Sequence, residues 1–315
     1  MRILLLAPNK RWKYNWGPHL FREELMRHHQ TYVYGPGWHG VKRHKQVNAG
    51  IDGLHDVKEI LSFFGDPDVD VIVTCGCGES GYIKGLDKIA SIPKVSLMCD
   101  YFPRNYKTQD KFLRGGKFNM VLAAYKHSVV RLRNMKVVPW TYWLPHGVDL
   151  EAYPKLDLER KIAVLFIGSY NKYEYPNRAK IKRRLERLRP MMKISMRKIM
   201  HEVYAEELNK SIMAISSSDR YKSFNLRMTE IPACGALLIS DQFEEMEKLG
   251  FIPGRNFVLY ETLNQLRRRI DYYLKHPSER DKIAEEGQRF VREKHNNSVR
   301  VDRMTQILKA TFKVG

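Results

Sequence analysis

Residues 223–241, SFNLRMTEIPACGALLISD, decide the fold class of this chain. A polar loop opens the stretch, a short helical segment carries Glu230, and an apolar run ends at Asp241. Cys234 and Gly235 separate the helix from the run, and glycine directly after a helix suits a left-handed cap. A helix followed by a short apolar run is typical of one αβ unit in a parallel sheet. The stretch therefore predicts an α/β protein.

The rest of the chain repeats this alternation in two series. The predicted strands are 3–7, 69–74, 94–99 and 119–123 in the first series, and 162–167, 192–196, 211–216, 236–240 and 257–260 in the second. The predicted helices include 17–29, 125–134, 203–210 and 229–234. Pro145, Gly147 and Pro154 interrupt the chain between the two series. We therefore predict an α/β fold of two Rossmann-like domains that face each other across a cleft, residues 1–146 and residues 147–315.

The charge of the chain is strongly basic and evenly spread. The net charge is +20 with a pI near 9.7, and the stretches 1–147 and 148–315 each carry +10. A basic tail would have concentrated this charge at one end. Charge on both halves predicts a polyanionic partner that touches both, and a general solubility charge is the alternative.

The cysteine count and the apolar runs exclude two classes of protein. The four cysteines, Cys75, Cys77, Cys99 and Cys234, are too few and too scattered for a disulfide framework. No apolar run approaches the ~18 residues of a transmembrane helix. The N-terminal run lacks a cleavage pattern, so we expect a strand there and the cytoplasm as the compartment. The paired Cys75 and Cys77 have no second pair at metal-site spacing, which favours a glycine-rich loop over a metal site.

The loop before Glu230 has the chemistry of a diphosphate and ribose site. Backbone amides at a helix start bind phosphate groups, and a carboxylate further along the helix can accept bonds from both ribose hydroxyls. This pattern places Asn225 and Arg227 near phosphates and Glu230 near a ribose. An ordinary αβ unit with a solvated glutamate explains the same residues equally well.

Residues 223–241 resemble the family-1-type glycosyltransferases of the GT-B fold, particularly the spore-maturation (CgeB-like) branch. In that branch an Asn-Leu-Arg-x-x-Glu stretch precedes Ala-Cys-Gly and a strand ending near Asp. Three more segments resemble the family, and they follow one another in the correct order. LPHGVDLEAYP at 144–154 resembles the linker into the second domain, and 162–169 resembles the first strand of that domain with its glycine turn. YAEELNKSIMAIS at 204–216 resembles the helix and strand before the sugar-nucleotide loop. The resemblance covers about 150 residues.

The resemblance implies a glycosyltransferase with a nucleotide-sugar donor of the UDP class. It implies that Glu230 holds the donor ribose, and that the rest of the donor site comprises Gly168, Ser169, Asn225, Leu226 and Arg227. The chain departs from the pattern at Lys222, where retaining members often carry a second glutamate that contacts the sugar. This departure leaves the stereochemistry open. Lys222 or Arg227 would neutralise the leaving diphosphate, so we expect no divalent metal and no cofactor besides the nucleotide-sugar co-substrate.

Two residues of the first half are candidates for the catalytic base. Asp100 directly follows a predicted buried strand, and ligands bind at the carboxyl ends of parallel strands. It could therefore take a proton from an acceptor hydroxyl, with a helix cap as the alternative role. His19, after Gly17 and Pro18, is the rival base, although a lone histidine in a loop is more often a polar contact. For His146, beside the hinge, packing is the favoured role.

Basic clusters indicate the acceptor. Arg11 and Lys13 interleave with aromatic residues in NKRWKYNWG at 9–17, which suits base stacking and phosphate contact. A second cluster beside Asp100 comprises Arg104, Lys107, Lys111, Arg114 and Lys117. A third, at 178–198, contains ten lysines and arginines against one acid and has a solvated helix face as its alternative.

A basic rim of this kind favours DNA as the partner, and an anionic lipid or wall polymer at a membrane face suits it almost as well. The leading acceptor is a hydroxymethylpyrimidine in DNA, which must be flipped out of the stack. A protein or small metabolite is the third acceptor. An alternative function outside the enzymes is that of a non-catalytic nucleic-acid-binding protein with the same fold. The combination of Gly168, Asn225, Arg227 and Glu230 favours the enzyme.

Overall fold

A computed structural model describes residues 1–7, 21–35, 47–48, 55–75, 83–99, 101–168, 172–173, 175–186, 192–195, 201–218 and 221–314. The chain divides into two compact units: Met1–His146 together with Asn297–Gly315, and Gly147–Asn296. This division differs from the predicted domains at the C-terminal end. Residues after 296, which we placed in the second domain, belong to the first unit.

The first unit is built on a parallel sheet. Its strands are β1 (Arg2–Leu6), β2 (Gln30–Gly35), β3 (Val47–Asn48), β5 (Val71–Cys75), β7 (Lys94–Met98), β8 (Met120–Ala123) and β9 (Trp140–Trp143), in the order β3-β2-β1-β5-β7-β8-β9. Two short strands, β4 (His55–Asp56) and β6 (Ile83–Lys84), pair with each other. The helices between them are α1 (Arg22–His28), α2 (Val57–Phe63), α3 (Tyr106–Gly115) and α4 (Lys126–Asn134).

Side chains alternate between the two faces of this sheet. Ile3 and Leu5 of β1 belong to one hydrophobic cluster, whereas Leu4 and Leu6 belong to the other. Successive side chains of a strand point to opposite faces. Because both faces are covered, all five residues of β5 are buried, as expected for a strand inside a parallel sheet.

The second unit has a smaller parallel sheet. Its strands are β10 (Ile162–Ile167), β11 (Met192–Ser195), β12 (Ser211–Ser216), β13 (Leu237–Ser240) and β14 (Val258–Leu259), in the order β11-β10-β12-β13-β14. Its helices are α5 (Pro176–Glu186), α6 (His201–Asn209), α7 (Arg227–Ala233), α8 (Leu263–Lys275) and α9 (Pro277–Lys294). All described pairings in this sheet are parallel. The predicted α/β class with parallel sheets is therefore confirmed.

The last helix, α10 (Asn297–Phe312), packs on the sheet of the first unit. Val301, Met304, Ile307 and Leu308 lie on one side of it and join the hydrophobic cluster of Ile3 and Leu5. Its apolar stripe thus completes a face that the first 146 residues leave open. None of the described helices combines the length and the apolarity needed to cross a bilayer.

Candidate functional site

The candidate site of the second unit lies where three neighbouring strands end. Gly168 follows β10, Ser217 follows β12, and Asp241 follows β13. The carboxyl ends of parallel strands share one edge of the sheet, and ligands of open α/β sheets bind at this edge. The loop 221–226 and helix α7 come between β12 and β13, so the predicted donor residues are brought to the same edge.

Asn225 ties the loop to the end of β12. Its side-chain Oδ1 accepts hydrogen bonds from the Ser216 hydroxyl at 3.2 Å and from the Arg227 backbone N–H at 3.1 Å. Its Nδ2 donates to the Ser217 carbonyl at 3.2 Å. These bonds organise the start of α7. They also occupy the side-chain amide of Asn225, which we expected to lie near a diphosphate. Leu226 is the cap residue of α7, and its carbonyl accepts the Glu230 backbone N–H at 2.9 Å.

Arg227 and Gly168 lie against each other, although 58 residues separate them in the chain. A Cβ built on Gly168 would lie 3.0 Å from Nη2 and 3.3 Å from Cζ of the arginine. The glycine also has a φ of +154°. The Arg227 guanidinium can therefore occupy this position because residue 168 has no side chain. The charge of Arg227 is thus held beside the glycine turn that the resemblance assigns to the donor site.

Glu230 is buried, with 7% of its surface exposed. Two buried tyrosines that we did not anticipate, Tyr153 and Tyr204, lie beside its carboxylate. Burial raises the pKa of Glu230, while the charge of Arg227 and the neighbouring tyrosine hydroxyls act in the opposite direction. No local signal in the sequence marks the tyrosines, because they lie 77 and 26 positions from the glutamate.

Asp241 holds the residues that follow β12. It accepts hydrogen bonds from the Ser218 backbone N–H at 2.6 Å and from the Ser217 hydroxyl at 3.1 Å. Burial raises the pKa of Asp241, and these bonds and the charge of Lys222 oppose the rise. Lys222 itself has an exposed side chain and a φ of +48°. A second cation is therefore present near this edge of the sheet.

The far end of α7 is fixed by donors to its last carbonyls. Arg160 donates to the Cys234 carbonyl at 3.1 Å, and Gln288 donates to the Ala233 carbonyl at 3.2 Å. Gly235 has a φ of +77°, so the left-handed cap predicted there is confirmed. A cation at a helix C-terminus also complements the helix dipole.

Several predicted site residues lie outside the described residues: Asp100, His19, Ser169, Arg11 and Lys13. The remaining acceptor candidates belong to the first unit. Arg104, Lys107 and Lys111 are exposed, and Lys107, Lys111 and Arg114 follow the i, i+4, i+7 spacing of one helix face. We call these three residues the α3 basic face.

His146 is a packed residue of the first unit. Its ring meets Tyr125 edge-on at 5.2 Å between centroids, and its carbonyl accepts a bond from Nε of Arg300 at 3.2 Å. Burial, with a smaller effect of the charge of Arg300, lowers the pKa of His146 to about 3. This agrees with the packing role favoured above. Burial likewise raises the pKa of Cys75 to about 12. Within the described ranges, no cluster of three histidine, cysteine or acidic side chains could hold a metal ion.

Comparison with known proteins identifies the domain at this site. Residues 155–306 match the model of a family described as glycosyl transferase-like. This segment, just under half of the chain, is similar to that family. It contains α6, α7 and the strands around them, and therefore the whole arrangement of Gly168, Arg227 and Glu230. No curated protein matches the chain.

Solved structures match over nearly the whole chain at low identity. Sucrose-phosphate synthase from Thermosynechococcus elongatus is 15% identical, with a TM-score of 0.66 and all of both chains covered. An α-glucosyltransferase in complex with UDP-glucose and DNA containing an abasic site is 13% identical, with a TM-score of 0.67, 98% of this chain and 99% of that chain covered. BGT of phage T4, in complex with UDP-glucose, is 11% identical, with a TM-score of 0.61 and all of both chains covered.

These structures share the fold of this chain. Together with the domain match they confirm the predicted GT-B fold and the predicted enzyme class, a glycosyltransferase.

Proposed function

We propose that this glycosyltransferase moves a sugar from a UDP-sugar donor to an acceptor hydroxyl. The observation that carries the proposal is the meeting of Gly168, Arg227 and Glu230 at one edge of the second sheet. A buried carboxylate beside an arginine, next to a glycine turn, provides one group for a ribose and one for a diphosphate. The same residues support membership of the CgeB-like branch, through the spacing of Asn225, Arg227 and Glu230.

The charges of the site fit a nucleoside diphosphate. Glu230 accepts hydrogen bonds from the ribose hydroxyls, while Arg227 and Lys222 lie on the side of the developing negative charge. When the bond between the sugar and the diphosphate breaks, the electron pair goes to the UDP oxygen, and a fixed cation stabilises this charge. With these cations in place, the reaction needs no divalent metal and no cofactor.

The acceptor side belongs to the first unit. Asp100 is the proposed base that takes the proton of the acceptor hydroxyl as its oxygen bonds to the anomeric carbon, and His19 is the rival. The α3 basic face is exposed and belongs to a unit with a large positive charge. Such a face suits the phosphates of a polyanion.

The leading acceptor is a hydroxymethylpyrimidine in DNA. Two observations support DNA: the basic charge of both halves, and the presence of a DNA complex and a phage enzyme among the similar structures. The target base would be flipped out of the duplex to reach the donor. A cytoplasmic enzyme of phage-type DNA modification is therefore the proposed role. The alternatives, an anionic lipid or wall polymer and a non-catalytic nucleic-acid binder, are distinguished by the assay below.

The experiment is a transfer assay with a panel of UDP-sugars and duplex DNA that contains hydroxymethylated pyrimidines. After incubation, the DNA is digested to nucleosides, which are analysed by mass spectrometry. We expect a hexose or pentose mass on the modified nucleoside, none with unmodified DNA, and none with the Glu230→Ala protein. Transfer to lipid in anionic vesicles but not to DNA would contradict the DNA acceptor. UDP binding without transfer to either would support another acceptor, and DNA binding without UDP binding would support the non-catalytic alternative.

A further inference from the structure

The basic cluster at 178–198 has no role in the donor site. Its first part, residues 178–186, belongs to α5, which follows β10 and so begins at the edge of the sheet where Gly168 lies. Nη2 of Arg178, in the first turn of α5, donates to the Ser217 carbonyl at 3.4 Å, directly after the end of β12. The start of α5 therefore lies at the same edge of the second sheet as the candidate site.

Two cations of α5 are bound by neighbours within the second unit. Nζ of Lys182 pairs with the Glu186 carboxylate at 3.1 Å, and Nη2 of Arg184 donates to Oδ1 of Asn264 at 2.9 Å. These two side chains thus have structural partners, which agrees with the solvated helix face considered above for this cluster.

Two other cations of α5 face away from the core. Ile181 and Leu185 are buried in the hydrophobic cluster of the second unit. Lys180 and Arg183, three positions apart, lie on the other side of the helix, and both are exposed. A phosphate chain that passes over this side of α5 would therefore meet two positive charges.

An exposed aromatic side chain precedes α5 at the same edge of the sheet. Tyr173 is 74% exposed, and Nζ of Lys172 lies 5.0 Å from the centroid of its ring. In the next described residue, Tyr175, the ring is covered by Arg178, whose Cζ lies 4.3 Å from the centroid. Aromatic rings beside cations are typical of surfaces that bind single-stranded nucleic acid, where the rings stack on bases and the cations contact phosphates.

The exposed side of α5 suits phosphates better than lipid. The only large apolar side chains of α5, Ile181 and Leu185, are buried, whereas a helix that binds a membrane surface needs an apolar face to insert. The stretch 172–186 contains six basic and two acidic side chains. Charge of this sign, with one exposed ring, favours a nucleic acid as the partner.

We propose that Tyr173, Lys180 and Arg183 form a nucleic-acid contact of the second unit. The ring of Tyr173 stacks on an unpaired base, and the two cations bind the phosphates beside it. DNA has unpaired bases where an enzyme takes its target out of the duplex. The contact deepens the proposed function and rests on the DNA acceptor proposed there. We call these three residues the α5 contact.

The test of the ring is a fluorescence-anisotropy titration of the whole chain with two probes. One is an oligodeoxythymidine of about 12 nucleotides, within the site sizes of single-strand binders, and the other is the same strand paired with its complement. Tyr173→Ala should weaken oligonucleotide binding about tenfold, the order expected for one base stacked on an aromatic side chain. Binding of the paired duplex should weaken less. Tyr173→Phe should keep the affinity, because it keeps the ring.

The test of the cations is the salt dependence of oligonucleotide binding in the double variant Lys180→Glu and Arg183→Glu. Each phosphate contact on a single strand contributes about 0.7 to the slope of log affinity against log salt. The slope should therefore become shallower by about 1.4, for two contacts, in the double variant.

Matched controls lie near the junction of α8 and α9. Tyr272→Ala removes another exposed tyrosine, with 40% of its surface exposed. The double variant Lys275→Glu and Lys282→Glu reverses two exposed lysines and changes the net charge by the same amount. Tyr272→Ala should keep the affinity for the oligonucleotide, and the lysine variant should change the slope less than the α5 variant does.

Four results would overturn the α5 contact while duplex DNA still binds. Tyr173→Phe could bind the oligonucleotide as weakly as Tyr173→Ala, or the control variants could have the same effects as the α5 variants. Tyr173→Ala could lose affinity for UDP in calorimetry and keep its affinity for the oligonucleotide, which would assign the ring to the donor. It could instead lose only the binding of phosphatidylglycerol vesicles, which would assign the ring to a membrane.

A fifth result concerns the proposed function itself. If the unaltered protein binds neither the oligonucleotide nor the duplex at low salt, the DNA acceptor fails, and the α5 contact fails with it. If the unaltered protein transfers a sugar to DNA while the α5 variants bind both probes as the controls do, the DNA acceptor stands and only the α5 contact is wrong.

Discussion

The guanidinium of Arg227 covers Gly168, so that a Cβ at residue 168 would come within 3.0 Å of Nη2. Because the obstacle is the flexible end of a side chain, Gly168→Ala should displace the arginine and leave the sheet in place. UDP binding should weaken about tenfold, since a hydrogen bond to a charged group is worth ~1.5–3 kcal/mol. Uridine, which has no diphosphate, should bind almost as before. Calorimetry with the two ligands measures this difference.

Gly254→Ala is the control for Gly168→Ala. Gly254 also has a positive φ, +77°, but a Cβ there would meet nothing within 4 Å. An alanine at residue 254 therefore has backbone strain, but its Cβ clashes with no neighbouring atom. Equal effects of the two substitutions on UDP affinity would show that strain, and not the position of Arg227, accounts for the loss.

Charge reversal of Lys107 and Lys111 tests the α3 basic face. For about five phosphate contacts on duplex DNA, log affinity should fall with log salt with a slope of about −4 to −5. The double reversal should make the slope shallower by up to about 2, equally for all sequences, because phosphate contacts carry no base information. Filter-binding titrations at several salt concentrations measure the slope.

Lys58 and Lys84 provide the comparison for that experiment. Both are exposed residues of the first unit, on α2 and β6. Their double reversal changes the net charge by the same amount and should have the smaller effect. If both double reversals change the slope equally, DNA binding depends on the total charge of the first unit and not on the α3 basic face. If duplex DNA fails to bind at low salt while anionic vesicles bind well, the membrane alternative takes its place.

Asp100→Asn tests the catalytic base. The substitution keeps the size of the side chain and removes its ability to accept a proton. Turnover should fall about 100-fold or more, the usual contribution of a general base, while UDP affinity stays unchanged. Single-turnover transfer assays beside calorimetry separate the two effects. Near-normal turnover would move the role to His19, and His19→Gln is the variant to test next.

His146 predicts a pH-dependent stability of the first unit. Its pKa is lowered to about 3, mainly by burial, so the folded state keeps the ring neutral. The unfolded chain takes up a proton below a pH of about 6.5. Stability is thus fully present above that pH and is lost as the pH falls toward the folded value. The free energy of unfolding should drop by up to ~1.4 kcal/mol per pH unit in this range.

Denaturant unfolding at pH 4 to 7 measures this slope. In His146→Gln the slope should be smaller, whatever the stability of the variant at neutral pH. His276→Gln, at an exposed position between α8 and α9, provides the comparison. An unchanged slope in His146→Gln would exclude this histidine as the source of acid sensitivity.

Much of the fold could be predicted from local patterns. The runs at 162–167 and 211–216 have the bounds of β10 and β12, because a buried parallel strand is a continuous apolar run between polar residues. The helix at 229–234 was predicted two residues late, since its first turn starts at Arg227 inside a polar loop. Strands β2 and β9 were not predicted, because QTYVYG and WTYW mix polar and aromatic residues.

The features that the sequence could not reveal depend on contacts between distant residues. The apolar stripe of α10 would suit either sheet, and only the folded chain shows that Val301 and Met304 complete the first core. Gly168 and Arg227 were each assigned to the donor site, but their direct contact was not foreseen. The approach of Tyr153 and Tyr204 to Glu230 has no periodic or local signature, so these neighbours of the central carboxylate were missed.

The central claim, that the second unit binds the ribose of a nucleotide sugar through Glu230, is tested most directly by calorimetry of UDP with the unaltered protein and Glu230→Ala. Glu285→Ala, an exposed glutamate of α9, is the control. Glu230→Ala should bind UDP at least about tenfold more weakly, because the ribose loses its charged hydrogen-bond acceptor, and Glu285→Ala should bind as the unaltered protein does. Equal UDP affinity in all three proteins would contradict the account.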